Sequence, residues 1–215
     1  MDSSKIMPKV FLWMFIGLAV TFLTGSYIAN DPSLILDLFT GGSVFLIFIA
    51  ELAIVIFLTA RIHKMKPTTA KIMFLLYSFI TGLTFASVFV VYDITSIMYV
   101  FLATALIMLV FGVIGYNTKM DLTKLSSFLF MAIIGILIMS LINIFVGSEE
   151  FSLGICIISV IVFVIYIAFD VQKVKQLYEQ NALPEENLAI YGALQLYLDF
   201  INIFLDLLRI FGNRD

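Results

Sequence analysis

Apolar residues in this chain fall into seven long runs, at about 10–29, 42–60, 71–92, 96–116, 126–146, 153–170 and 188–211. Each is close to the ~20 residues that cross a bilayer as a helix, so the pattern predicts an all-α fold of seven membrane-spanning helices. A shorter apolar piece, Leu34 to Phe39, is interrupted by Asp37 and followed by Gly41 and Gly42. It reads either as an interfacial turn or as the start of a tilted second span. No soluble domain fits between the runs, and the longest link is the Lys-, Gln- and Glu-rich stretch from Val171 to Asn187, broken by Pro184. Residues 1–215 therefore read as a single integral membrane domain.

Polar residues are rare inside the runs, and the last run departs from this. At ~100° per residue, Gln195, Asp199, Asn202, Asp206 and Arg209 fall at ~0, 40, −20, 20 and −40° on a helix, a single narrow stripe. The rest of that helix is Leu, Ile, Phe and Tyr. Charged groups facing hydrocarbon are costly, so the stripe should face the protein interior or a water-filled path.

Composition sharpens this reading. The chain is 62% hydrophobic and 13% charged, with a mean hydropathy of +1.13, whereas soluble domains carry about a quarter charged residues. A net charge of −3 from 12 basic and 15 acidic residues excludes a large basic surface, so no nucleic-acid partner is expected. The single Cys156 excludes a disulfide framework or a zinc knuckle. The N-terminus MetAspSerSerLysIleMetProLysVal leads into the first run without a small-residue cleavage site, so the first helix is expected to stay in the protein.

The charges are sided. Lys5 and Lys9, then Arg61, Lys64, Lys66 and Lys71, then Lys119 and Lys124, then Lys173 and Lys175 account for 10 of the 12 basic residues and alternate with links that carry Asp31, Asp37, Asp93, Glu149 and Glu150. The positive-inside rule puts the basic side, with the N-terminus, in the cytoplasm. Arg209 and Arg214 then lie at the far end of the seventh run. Residues 188–211 span ~35 Å as a helix, which favours a full crossing over a re-entrant element.

Four acids lie within or at the rim of the runs. Glu51 and Asp199 fall near the midplane, Asp170 closes the sixth run on the cytoplasmic side, and Asp206 lies toward the outer end of the seventh. Oxygen ligands graded across a membrane suit a hard cation or protons. Plainer readings exist for two of them: Asp170 as a solvated helix end beside Lys173 and Lys175, and Asp206 as an interfacial pair with Arg209. Asn143 reads as a helix–helix hydrogen-bond anchor, and His63 as a solvated loop residue. The last run holds no lysine for a retinal Schiff base, and no buried base stands ready to activate Ser140, Ser159 or Cys156. No enzymatic activity and no cofactor are expected.

The segment Gly192 to Arg214, GlyAlaLeuGlnLeuTyrLeuAspPheIleAsnIlePheLeuAspLeuLeuArgIlePheGlyAsnArg, resembles the C-terminal signature of the Bax inhibitor family. Ala50–Ile62, Gly115–Thr123 and Phe169–Lys175 resemble further family stretches in the family's order. The short termini and loops resemble its bacterial members. The resemblance implies a seven-helix bundle with the C-terminal helix central and an aspartate pair, matching Asp170 and Asp199, that joins the last two helices. It further implies a pH-sensitive calcium leak channel in which that pair senses protons and an arginine closing the second span, here Arg61, latches the pore. Calcium and protons would then be its partners beside the lipid bilayer, with Glu51, Asn202 and Asp206 on the ion path and transient calcium at Glu51 and Asp199. Bacterial relatives place such a protein in the inner membrane and link it to regulation of a membrane-bound protease, which stands as the alternative, with a proton-coupled cation transporter beside it. Two carboxyls within hydrogen-bond distance cannot both ionise cheaply, so such a pair titrates as a unit.

Overall fold

Backbone amides and carbonyls have no partner in hydrocarbon, so each apolar run must satisfy them within itself, and a helix does so. In the computed structural model, which describes residues 5–40 and 42–214, all seven runs are helical. Gly41 and the N-terminal MetAspSerSer read above lie outside the described residues. In chain order the helices are α1 (Ile6–Ala29), α2 (Pro32–Phe39), α3 (Ser43–Arg61), α4 (Pro67–Val91), α5 (Ile94–Asn117), α6 (Ser126–Val146), α7 (Glu149–Glu179) and α8 (Glu185–Phe211). All but α2 are long and apolar enough to cross a membrane.

The short piece after the first run is α2, a helix of its own. Its start is set by Asp31, whose Oδ1 accepts from the Ser33 amide at 2.9 Å and the Ser33 hydroxyl at 2.6 Å, with Pro32 in the first turn. The Ser33 hydroxyl, then its amide, hold the Asp31 carboxyl below the usual carboxylate range. This cap therefore persists at neutral pH and is lost as pH falls through that lowered value.

One expectation is corrected. The sixth run does not end at Asp170: α7 continues to Glu179, and most of the expected link after Val171 is helix. Residues 171–179 contain no Gly or Pro, and the hydropathy pattern ended the run at its first charged residue although nothing there stops a helix. The helix stops where Asn181 takes a left-handed conformation at φ 49 and the Ala182 amide turns back to the Leu177 carbonyl at 3.0 Å.

Contacts divide the chain into two units: Met1–Ile94, Leu177–Tyr197 and Arg214–Asp215 form one, and Thr95–Gln176 with Leu198–Asn213 the other. In the first unit α1 lies along α4 at small residues. A side chain on Gly17 would meet the Phe74 ring at 2.6 Å, and one on Gly82 would meet the Thr21 carbonyl at 2.9 Å. Membrane helices gain little from burying apolar surface against one another, so close backbone approach of this kind supplies the packing. The start of α8 is tied down by Asn187, fully buried, which donates to the Ile62 carbonyl at 2.7 Å and the Met65 carbonyl at 2.9 Å. Ion pairs of Lys9 with Glu185 at 2.6 Å and Lys71 with Glu186 at 2.8 Å stand around the same helix start.

Both ends of the last segment meet residues near the ends of α4. Glu186 pairs with Lys71 near the start of α4, while Arg214 bridges Tyr92 just past its end. The last helix is a single unbroken element from Glu185 to Phe211.

In the second unit, Gly115 of α5 packs so closely on the Ala168 backbone of α7 that an added side-chain carbon would stand 2.6 Å from the Ala168 Cα. Gln172 grips the α5–α6 connection, its Nε2 donating to the Met120 carbonyl at 2.7 Å and its Oε1 accepting from the Leu122 amide at 2.8 Å. Asn143 makes no such link: its Oδ1 is buried without a hydrogen-bond partner, in contrast to the expected helix–helix anchor.

Burial separates the helices. In the most apolar stretch of α8, 78% of residues are buried, against 6% in α3 and in the α6 segment. Phe145, 90% exposed, and Phe45, 66% exposed, belong to those two helices and suit a lipid surround.

Thiol labelling in a Cys156→Ser background tests the orientation. A cysteine at Lys66 is expected to react with an impermeant reagent only after permeabilisation, and one at Glu149 in intact cells. The reverse pattern inverts the topology.

Candidate functional site

Two carboxyls lie inside the second unit, one on each of its last two helices. Asp170 and Asp199 are each only 3% exposed, and their charges act on one another. Because α7 extends to Glu179, Asp170 lies roughly 14 Å from that end at 1.5 Å rise per residue. The solvated-helix-end reading of Asp170 is thereby removed. Asp199 lies near the middle of α8, roughly 21 Å from Glu185 on the same rise. Its Oδ2 is buried with no hydrogen-bond partner, an unusual condition for a carboxyl oxygen in a protein interior. The Tyr166 hydroxyl, one turn before Asp170, lies within reach of both charges, and Lys173, one turn after, within reach of Asp170. The Lys173 ammonium rests 5.6 Å from the centre of the Phe169 ring.

Further along α8, Asp206 lies within reach of the Ser159 hydroxyl and the Cys156 thiol of α7, with Arg209 near enough to act on it. Ser159 and Cys156 are each 4% exposed. Asp206 thus has polar neighbours on α7 as well as its i+3 neighbour. Asn202, on the same stripe, donates to the Leu198 carbonyl of its own helix at 2.7 Å. The polar stripe of α8 is graded: Asp199 is buried, Gln195, Asn202 and Asp206 are half-buried, and Arg209 is exposed.

Glu51 and Arg61 belong to the first unit, on α3. Glu51 is half-buried and its Oε1 accepts from the Thr84 hydroxyl at 3.1 Å. Arg61 is exposed at the end of α3 and pairs with no carboxylate among the described residues. His63 is exposed in the 3-10 turn that follows. Among the described residues no three His, Cys, Asp or Glu side chains gather as a metal site would require.

Ser152, Tyr166, Tyr77, Thr81 and Thr84 escaped the reading of the sequence, and Cys156 and Ser159 were weighed there only as nucleophiles. Ser152, Cys156, Ser159, Tyr166 and Asp170 recur at intervals of three, four or seven along α7, a stripe that mirrors the one on α8. Tyr77, Thr81 and Thr84 make a similar stripe on α4. The signal was present, but hydroxyls and thiols in apolar helices are common enough to pass as packing residues.

A family model described as inhibitor of apoptosis-promoting Bax1 matches residues 3–215. The chain is 46% identical to the inner membrane protein YbhL of Escherichia coli over 97% of this chain and 91% of that protein. It is 35% identical to an uncharacterized protein of Borreliella burgdorferi over 99% of this chain and 93% of the other. A protein of Rickettsia prowazekii is likewise 35% identical, over 98% and 90%.

Proposed function

Since the chain belongs to the Bax inhibitor family and is a multi-pass integral membrane protein, we propose that it is a pH-responsive cation channel that leaks calcium, with Asp170 and Asp199 as its proton sensor. The observation that carries this reading is the burial of both acids, each 3% exposed, on adjacent helices of one unit and within one another's field. Two bare carboxylates side by side in an apolar contact are costly, so the pair keeps one proton between them. Loss of that proton sets two like charges against each other across the α7–α8 contact, and a change of pH becomes a force between helices. By its likeness to the Escherichia coli protein, the channel is assigned to an inner membrane. The role is non-enzymatic and uses no cofactor, and calcium is cargo.

Glu51, Asp206 and Asn202 are assigned to the cation path, and the exposed Arg61 is the candidate latch. Purified protein in liposomes loaded with a calcium dye tests the reading. Influx that depends on pH between about 5 and 8, a window in which a perturbed carboxyl titrates, supports it, and liposomes as tight as protein-free ones refute it. Glu51→Gln keeps the volume and the Thr84 hydrogen bond while removing the charge. It is expected to lower calcium flux by roughly tenfold, the effect of one lost charge in a partly desolvated path, at unchanged expression. Unchanged flux takes Glu51 off the path.

A further inference from the structure

Oxygen-bearing side chains of α1, α3, α4 and α8 collect in the first unit, apart from the aspartate pair. Thr21 and Tyr197 are fully buried, Thr81 is 5% exposed and Tyr77 6%. The Thr21 hydroxyl donates to the Ser78 carbonyl at 2.8 Å, so in its 2.6 Å contact with Tyr197 the phenol must be the donor. The lone pairs of the Tyr197 oxygen are left over. Thr84 has one proton for two acceptors, the Thr81 carbonyl at 2.8 Å and Glu51 Oε1 at 3.1 Å, and the nearer carbonyl has the stronger claim. The Thr81 hydroxyl lies near enough to act on Tyr77, Tyr197 and Glu51. It nevertheless completes a hydrogen bond with none of them. An unpartnered, buried hydroxyl thus stands among oxygens around a single half-buried carboxylate.

We infer that Glu51, Thr81, Tyr77 and Tyr197, with Thr84 beside them, form a binding site for one small monovalent cation such as sodium. The donor set is entirely oxygen, which selects a hard ion. Its charge is that of one carboxylate, which a monovalent ion neutralises, while a divalent ion would leave a net charge buried. The site's part in transport rests on the reading of Glu51 as a member of the cation path. Its occupancy is measurable without transport.

Thermal unfolding of the full-length protein in nanodiscs, with sodium chloride titrated against choline chloride at constant ionic strength, tests the site. Binding to the folded state raises the midpoint saturably. The parent is expected to show this rise with sodium and not with calcium at matched ionic strength. Thr81→Val and Tyr197→Phe are each expected to move half-saturation up by about tenfold, the weight of one lost polar ligand, and Glu51→Gln to abolish the response. Thr104→Val removes an equally buried hydroxyl, one bonded to the Val100 carbonyl of its own helix, and is expected to leave it intact. Three separate substitutions at the site keep the test decisive if one of them fails to fold. No saturable sodium response in the parent, an equal response to calcium, or parental behaviour in all three site variants overturns the proposal. A sodium response with undiminished calcium flux in Glu51→Gln overturns the path and leaves the site. Diminished flux in Glu51→Gln without any sodium response in the parent overturns the site and leaves the path.

Discussion

Asparagine at either Asp170 or Asp199 is expected to flatten the pH dependence of calcium flux, and asparagine at both to do no more than asparagine at one. The reason is that the sensor is a relation between two groups. Each carboxyl is buried on its own helix, and each acts on the other. Replacing one by its neutral isostere removes the like-charge contact whichever acid is changed, and the remaining group titrates alone or stays neutral. Residues in contact couple by roughly 0.5–3 kcal/mol. The double variant should therefore fall within about twofold of either single one, where independent sites would multiply their effects. Asparagine preserves volume, and the buried Asp199 Oδ2 has no hydrogen bond to lose, so folding should survive and flux remain readable. Flux would be measured from about pH 5 to pH 8. Multiplicative effects, or a parental profile in both single variants, would remove the pair from the mechanism.

The largest structural effect is expected at Gly115. Here two helix backbones touch, and any side chain on α5 would be driven into the Cα and carbonyl of Ala168. Backbone cannot rotate out of the way as a side-chain tip does, so the helices must separate. Overpacking of a core typically costs about 1–3 kcal/mol, and a backbone collision lies at the upper end of that range or beyond it. Gly115→Val is expected to abolish the monodisperse folded peak in detergent, and Gly115→Ala to lower the unfolding temperature clearly. Asp170 lies two residues beyond the contact, so a surviving Gly115→Ala protein should also show an altered pH profile. Gly154, with nothing within 4 Å of an added side chain, is the control. Gly154→Ala should be neutral or slightly stabilising, because alanine loses less conformational freedom in a helix than glycine does. A Gly115→Val protein as stable as the parent would mean that α5 and α7 do not approach as described.

Much of the fold was legible in the chain because hydrocarbon imposes one rule on every residue. A run of ~20 apolar residues has no favourable alternative to a spanning helix, so the spans could be counted, and Asp199 and Glu51 noticed as exceptions within them. The same rule misplaced the end of α7. Hydropathy reports where a helix leaves lipid, whereas α7 ends where Asn181 turns the backbone, and the residues from Val171 to Glu179 remain helical outside that criterion. That difference changed Asp170 from a helix end into a buried group.

By itself the sequence determined the seven long helical runs, which links carry positive charge and which acids stand among apolar residues, since each depends on local composition and a fixed helical rise. Only the tertiary structure decided the neighbours: Asp170 buried within the field of Asp199, Asp206 within reach of Ser159 and Cys156, Thr21 meeting Tyr197, and Gly115 lying against Ala168. Adjacent positions on a helix point ~100° apart, so which residues meet depends on the rotation and approach of each helix against its neighbours. In a membrane those are set by close contacts between small residues and a few buried hydrogen bonds, interactions that leave almost no trace in hydropathy.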